Sequence, residues 1–84
     1  MKYTVIVPSS AQKELDRLPD VVVNRIIRRL TGLETQPRPP DVRKLKGRNA
    51  YRIRVGDYRV IYEIQDRALQ VIIITLGHRR QVYR

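Results

Sequence analysis

The 84-residue sequence has no cysteine, tryptophan or phenylalanine, and it has a single histidine. Without cysteine it has no disulfides, no cysteine-based zinc site and no thiol nucleophile. No apolar run approaches the roughly 20 residues of a membrane span, and the N terminus lacks the apolar stretch and cleavage site of a signal peptide. The length allows one domain, residues 1–84, which we expect in the cytoplasm without a membrane partner.

The sequence also lacks the motifs of most catalytic chemistries. It contains no glycine-rich phosphate loop and no His, Asp and Glu cluster at metal-ligand spacing, and one histidine gives no basis for a serine triad. We therefore expect no small-molecule cofactor and no metal. Any chemistry here has to be phosphate chemistry that is driven by cations.

Positive charge is what the sequence has in excess. The formal net charge is +10, and it is uneven, because residues 43–84 contain eleven basic and three acidic residues. Nine of those eleven are arginines, whose planar guanidinium binds phosphate through two hydrogen bonds and stacks on bases. By charge alone, the partners that this surface could attract are nucleic acid, an anionic membrane and an acidic protein segment. The alternative to a binding surface is that the positive charge serves only to keep the protein soluble.

The first residues predict a short strand followed by a helix. Residues 2–7 are rich in β-branched side chains, and Pro8 ends the predicted strand. Ser9 or Ser10 is the predicted N-cap of a helix that continues to Leu18.

A second helix is predicted from about Val21 to Glu34, separated from the first by Pro19. The two helices form a hairpin. The proline-rich segment of residues 36–40, called the connector below, is incompatible with a helix or a central strand.

After the connector the apolar period changes to two. Residues 50–55 and 58–64 alternate strictly around Gly56-Asp57, a two-residue turn typical of a β-hairpin. Residues 69–76 predict a last strand that is buried on both faces. The predicted order is β-α-α-β-β-β.

The hairpin turn predicts that three arginines share one face of the sheet. A two-residue loop pairs Arg54 with Arg59, about 5 Å apart at Cβ, and places Arg52 on the same face. Like charges in this position destabilise a sheet, so the pattern favours a site where an anion binds between them. The alternative is an ordinary polar sheet face, partly neutralised by Glu63.

The basic tail adds further candidates. His78 is the one side chain with an ordinary pKa near neutrality, and it precedes Arg79 and Arg80. Tyr83 can stack on a base, act as a weak acid or pack the tail in place.

In this order and spacing, the segments ELDRLP, KLKG, YRIRVGDYRVIYEI and GHRRQVY resemble the RelE/ParE superfamily of toxin–antitoxin toxins, the RelE branch most closely. The resemblance covers essentially the whole chain. It implies an α+β fold, a small twisted antiparallel sheet with the N-terminal helical hairpin on one face. It also implies an endoribonuclease that cuts mRNA in the ribosomal A site by attack of the 2′-hydroxyl on the adjacent phosphate.

Carried over by position, the resemblance makes Arg52, Arg54, Arg59, Arg79 and Tyr83 catalytic residues. The RelE branch commonly has lysine at the first two positions, and arginine cannot act as a general base as lysine can. The general base is therefore open: His78 is the candidate for this catalytic role, and Tyr83 and a group of the ribosome are the alternatives.

Four further cations are predicted to bind RNA: Lys44, Lys46, Arg48 and Arg80. The implied partners are a RelB-like antitoxin and the ribosome with its mRNA and 16S rRNA. The alternative function is a non-enzymatic one, either a ParE-like inhibitor of DNA gyrase or a degenerate module that binds only RNA or antitoxin. A small basic domain without catalytic role is the third possibility.

Overall fold

Two helices and five strands form over residues 2–78, the part of the chain that this computed structural model describes. In chain order they are β1 (Thr4–Ile6), α1 (Ser9–Asp16), α2 (Asp20–Leu33), β2 (Arg43–Lys44), β3 (Tyr51–Val55), β4 (Tyr58–Gln65) and β5 (Gln70–His78). The predicted α+β class with an N-terminal helical hairpin is confirmed. The element order has one strand more than predicted, because β2 forms directly after the connector.

The boundaries of α1 differ from the prediction. Pro8, rather than Ser9 or Ser10, occupies the N-cap position, and no side chain caps the helix. The carbonyl of Pro8 accepts the first helical hydrogen bond, from the backbone N–H of Gln12 at 2.8 Å. Helix α1 ends at Asp16 instead of Leu18.

Helix α2 begins at Asp20, directly after Pro19, within a residue of the prediction. Asp20 places a carboxylate where the helix dipole favours it.

The sheet has the order β1-β5-β4-β3-β2. Strand β1 is parallel to β5, and the other three pairs are antiparallel. The sheet is therefore mixed, whereas the prediction was antiparallel throughout. The parallel pair joins the two ends of the described chain, and no local turn signal could reveal it.

One face of the sheet packs against the helical hairpin. The buried core includes Ala11, Leu15, Ile26, Leu30 and Leu33 of the helices, and Ile53, Val60, Tyr62, Val71, Ile73 and Leu76 of the strands. Strand β5 is not buried on both faces, since Ile72 and Ile74 are only half-buried. The sheet thus has one covered face and one open face.

The connector is fixed to the sheet by polar contacts. The hydroxyl of Tyr62 donates a hydrogen bond of 2.7 Å to the carbonyl of Pro37. The guanidinium of Arg38 donates to both carboxylate oxygens of Asp66, at 3.2 and 2.9 Å, and to the hydroxyl of Tyr51 at 3.1 Å. These contacts determine where the chain enters β2.

No helix within residues 2–78 is long and apolar enough to cross a membrane.

Candidate phosphate-binding site on the open face

Three arginines of the β3–β4 hairpin lie on the open face of the sheet. The pairs Val55–Tyr58, Arg54–Arg59 and Ile53–Val60 form as the turn at Gly56-Asp57 predicts. Along both strands, core residues alternate with arginines. We call these three residues, Arg52, Arg54 and Arg59, the arginine cluster. Arg54 is exposed, and Arg52 and Arg59 are half-buried.

Arg43 adds a fourth cation that the sequence analysis missed. It lies on the two-residue strand β2, directly opposite Arg52. A two-residue strand is too short to show an alternating apolar pattern in the sequence. The one sequence signal for a site here is the pair of cations, Arg43 and Lys44, soon after the connector. The pairing places three cationic strands, β2, β3 and β4, side by side.

An open groove of about 720 Å³ runs along this edge of the sheet. Its lining is Pro40, Asp41, Val42, Arg43, Arg52 and Arg54, and we call it the sheet groove. Its one carboxylate, Asp41, already accepts two hydrogen bonds from Arg29, at 3.0 and 2.8 Å. That contact with Arg29 holds the pKa of Asp41 below its usual value.

The cations of the sheet groove repel one another. Partial burial lowers the pKa of the Arg52 guanidinium, and the charges of Arg54 and Arg43 lower it further. Arginine nevertheless stays protonated at neutral pH. Arg52 is therefore excluded as a proton acceptor. A bound dianion would relieve the repulsion among these cations, so the arrangement suits a phosphate group.

His78 does not lie with the arginine cluster. It pairs with Tyr58 across β4 and β5, and the two rings meet edge to face with centroids 5.7 Å apart. Tyr58 packs against the core side of the sheet, whereas Gly77 is the residue opposite Arg59. The imidazole is therefore on the face away from Arg59.

A β-bulge explains the placement of His78. Tyr62 pairs with Ile73, but Ile61 pairs with Thr75, so Ile74 is an extra residue in β5. One extra residue moves every later side chain to the other face. The apolar run of β5 conceals this change from the sequence.

Three of the predicted RNA-binding cations line a separate open pocket at the β2–β3 loop and not the sheet groove. Lys44 is on β2, and Lys46 and Arg48 are exposed in the loop that joins β2 to β3. Gly47 in that loop has φ +69°. Of the other predicted site residues, Arg79, Arg80 and Tyr83 lie outside the described residues.

Within residues 2–78, no group of three or more His, Asp or Glu side chains is placed to hold a metal ion.

Comparisons with known proteins point to one family of toxins. The model of the family described as ParE toxin of type II toxin–antitoxin system, parDE, matches residues 5–83. Toxin RelG of Mycobacterium tuberculosis is 32% identical over 88 residues, which cover 100% of this chain and 99% of RelG.

Solved structures of RelE proteins have the same fold. The RelE–RelB complex of Pyrococcus horikoshii matches with a TM-score of 0.85 and 34% identity, over 98% of this chain and 100% of that chain. The isolated E. coli RelE toxin matches with a TM-score of 0.81 and 28% identity, over 96% of this chain and 90% of that chain.

The fold, the arginine cluster and these matches together define a toxin of the RelE/ParE family, to which this chain belongs. Within that family it is a RelE-like toxin of a type II toxin–antitoxin system.

Proposed function

We propose that this protein is an endoribonuclease that cleaves mRNA in the ribosomal A site and thereby inhibits translation. The observation that supports it most is the convergence of Arg43, Arg52 and Arg54 on one groove whose only carboxylate is engaged by Arg29. A groove with this charge binds the backbone of RNA rather than a neutral substrate.

The arginines stabilise charge as it develops during the reaction. The 2′-oxygen of one nucleotide attacks the adjacent phosphorus, the bond from phosphorus to the 5′-oxygen breaks, and a 2′,3′-cyclic phosphate and a 5′-hydroxyl are formed. Arg52, Arg54 and Arg59 orient the phosphate and stabilise the dianionic transition state. The backbone positions of these arginines are set before the substrate binds, because the β-hairpin fixes them.

Proton transfer needs a group other than this cluster. By the family resemblance, Arg79 supports the leaving 5′-oxygen and Tyr83 is a candidate acid or base. The position of His78 beside Tyr58, on the face away from Arg59, does not support a base role. We assign proton removal to Tyr83 or to a group of the ribosome.

A RelB-like antitoxin and the ribosome are the proposed partners, in the cytoplasm. RelE homologues from Pyrococcus horikoshii and E. coli have been solved with RelB. An antitoxin that covers the sheet groove would keep RNA away from it, and a surface with net charge +10 would meet ribosomal RNA with strong salt dependence.

The test is to map the 5′ ends of an mRNA after adding purified protein, with and without translating ribosomes. The proposal predicts cuts at A-site codons only when ribosomes are present, with 5′-hydroxyl ends. Intact mRNA in both samples, from a preparation that still arrests growth, would overturn it.

A second candidate function is inhibition of DNA gyrase without nuclease activity. The matching family model is that of the ParE toxins, and arginine stands at positions 52 and 54, where the RelE branch commonly has lysine. Supercoiling by purified gyrase distinguishes the two. Inhibition by the toxin together with intact mRNA would favour this candidate.

A further inference from the structure

A second basic groove lies between α2 and the end of β3. It has a volume of about 290 Å³, and we call it the helix groove. Its lining is Arg25, Arg28, Arg29, Arg54, Val55 and Gly56. None of the α2 arginines was predicted as a site residue, because they occupy the polar side of an amphipathic helix, where charged residues are ordinary.

Two of the helix cations, Arg25 and Arg28, form no ion pair with the residues that the structure describes. Arg25 and Arg28 are exposed and three residues apart, so they are neighbours on the helix surface. Over residues 2–78 neither forms an ion pair, whereas Arg29 is paired with Asp41 at 2.8 Å. Like charges at this spacing destabilise a helix, and a bound anion would offset the repulsion.

The helix groove continues into the arginine cluster. Arg54 lines both the sheet groove and the helix groove, and it also lines a small cavity with Gly56, Asp57 and Arg59. The cations therefore form one track, from β2 across β3 and around the hairpin turn to α2, with the Asp57 carboxylate beside it at the turn.

Gly56 allows the close approach at the turn. Its φ is +60°, and a Cβ at this position would lie 3.4 Å from Nη1 of Arg25. A side chain here would be strained by the positive φ, and its Cβ would be in van der Waals contact with the guanidinium. Glycine thus leaves the junction between the two grooves open.

We infer that the helix groove is a second phosphate-binding subsite, and that it holds the RNA backbone next to the phosphate at the arginine cluster. Arg25 and Arg28 each bind a phosphate through two hydrogen bonds. RNA is the occupant that the structure favours, because the track is continuous with the proposed reaction site. This inference rests on the proposed function for the identity of the ligand.

The test measures binding of a fluorescein-labelled single-stranded RNA oligonucleotide that carries 2′-O-methyl groups and so cannot be cleaved. The affinities of the intact protein and of the Arg25→Ala/Arg28→Ala variant are measured at several salt concentrations. The matched control is Arg17→Ala/Arg67→Ala, which removes the same charge from exposed positions on α1's C-terminal end and the β4–β5 turn.

Loss of two phosphate contacts lowers the slope of log Kd against log salt by about 1.4, because each contact to single-stranded nucleic acid contributes roughly 0.7. We expect this change in the helix variant and a nearly unchanged slope in the control. Equal changes in both variants would mean that only overall charge matters, and would overturn the inference. The inference would also be overturned if the helix variant bound a ten-glutamate peptide more weakly than the intact protein but bound RNA equally well.

Cleavage assays separate this inference from the proposed function. On programmed ribosomes, the helix variant should reach half-maximal rate at a higher protein concentration while keeping the maximal rate of the intact protein. An unchanged concentration dependence would contradict the subsite and leave the proposed nuclease activity unaffected. Absence of cleavage by the intact protein would refute the nuclease, and the oligonucleotide titration would still decide whether the subsite exists.

Discussion

Arg54 of β3 and Arg59 of β4 are directly opposite each other in the sheet, two like charges at the closest cross-strand position. Arg43 and Arg52 repeat the arrangement between β2 and β3. Two such pairs on neighbouring strands destabilise the sheet. A polyanion bound over them would offset this repulsion. The open face is therefore built for binding at some expense of stability.

This arrangement predicts that removing the repulsion stabilises the protein and abolishes its function. In Arg54→Glu, a glutamate faces Arg59, and the free energy of unfolding should rise by about 0.5–1 kcal/mol in urea denaturation. Cleavage on ribosomes should be lost. Arg67→Glu in the β4–β5 turn is the control, with a stability change within about 0.5 kcal/mol and full activity. A less stable Arg54→Glu would show that the repulsion is unimportant.

Tyr62→Phe should weaken the attachment of the connector. The Tyr62 ring is fully buried, and its hydroxyl donates to the carbonyl of Pro37 at 2.7 Å. Removing the donor leaves a carbonyl without its partner, at a cost of about 1–2 kcal/mol in the free energy of unfolding. Tyr58→Phe is the control, because the Tyr58 hydroxyl makes no hydrogen bond to residues 2–78. Equal urea midpoints for the two variants would contradict the role of this bond.

Two carboxylates predict how stability depends on acid pH. Contacts with Arg29 lower the pKa of Asp41, and contacts with Arg38, then Tyr3, lower the pKa of Asp66. Their contribution is present above the unfolded-state pKa, near 4, and is lost as the pH falls through the lower folded-state pKa. Because both side chains are about half exposed, solvent screening keeps the contribution small.

The corresponding measurement is the urea midpoint between pH 7 and pH 2. We expect Asp41→Asn/Asp66→Asn to be less stable than the intact protein at pH 7 and to lose less stability on acidification. Asp57→Asn in the hairpin turn is the control. Parallel pH curves for the double variant and the intact protein would show that these pairs do not contribute.

Arg52→Lys tests whether a missing base limits the reaction. A lysine here would share the partial burial and the neighbours Arg54 and Arg43 that lower the pKa of Arg52, so its pKa should also lie below the usual lysine value. We expect its cleavage rate to increase between pH 7 and pH 9 and to exceed that of the intact protein by about tenfold at the upper end. Arg67→Lys is the control. The same pH–rate profile in both variants would exclude lysine as a base at this position.

The sequence was sufficient to predict the β3–β4 hairpin and, with it, the placement of Arg52, Arg54 and Arg59 on one face. A strict alternation on both sides of Gly56-Asp57 determines the register by itself, since a shift of one residue would expose Ile53 and Val60. The arginine cluster follows directly from that register.

The missed features depend on contacts that no short pattern encodes. Strand β2 is only two residues long and forms because the connector is tied to Tyr62 and Asp66. The parallel pairing of β1 with β5 joins distant parts of the chain. The bulge at Ile74 changes the face on which His78 lies. Each of these is decided by tertiary packing.

The most direct test of the arginine cluster as the cleavage site is the single-turnover rate of mRNA cleavage on programmed ribosomes by Arg59→Ala, with Arg67→Ala as the control. The account predicts that Arg59→Ala folds, still binds ribosomes and loses at least about 100-fold in rate, while the control cleaves like the intact protein. Cleavage by Arg59→Ala at the rate of the control would contradict it.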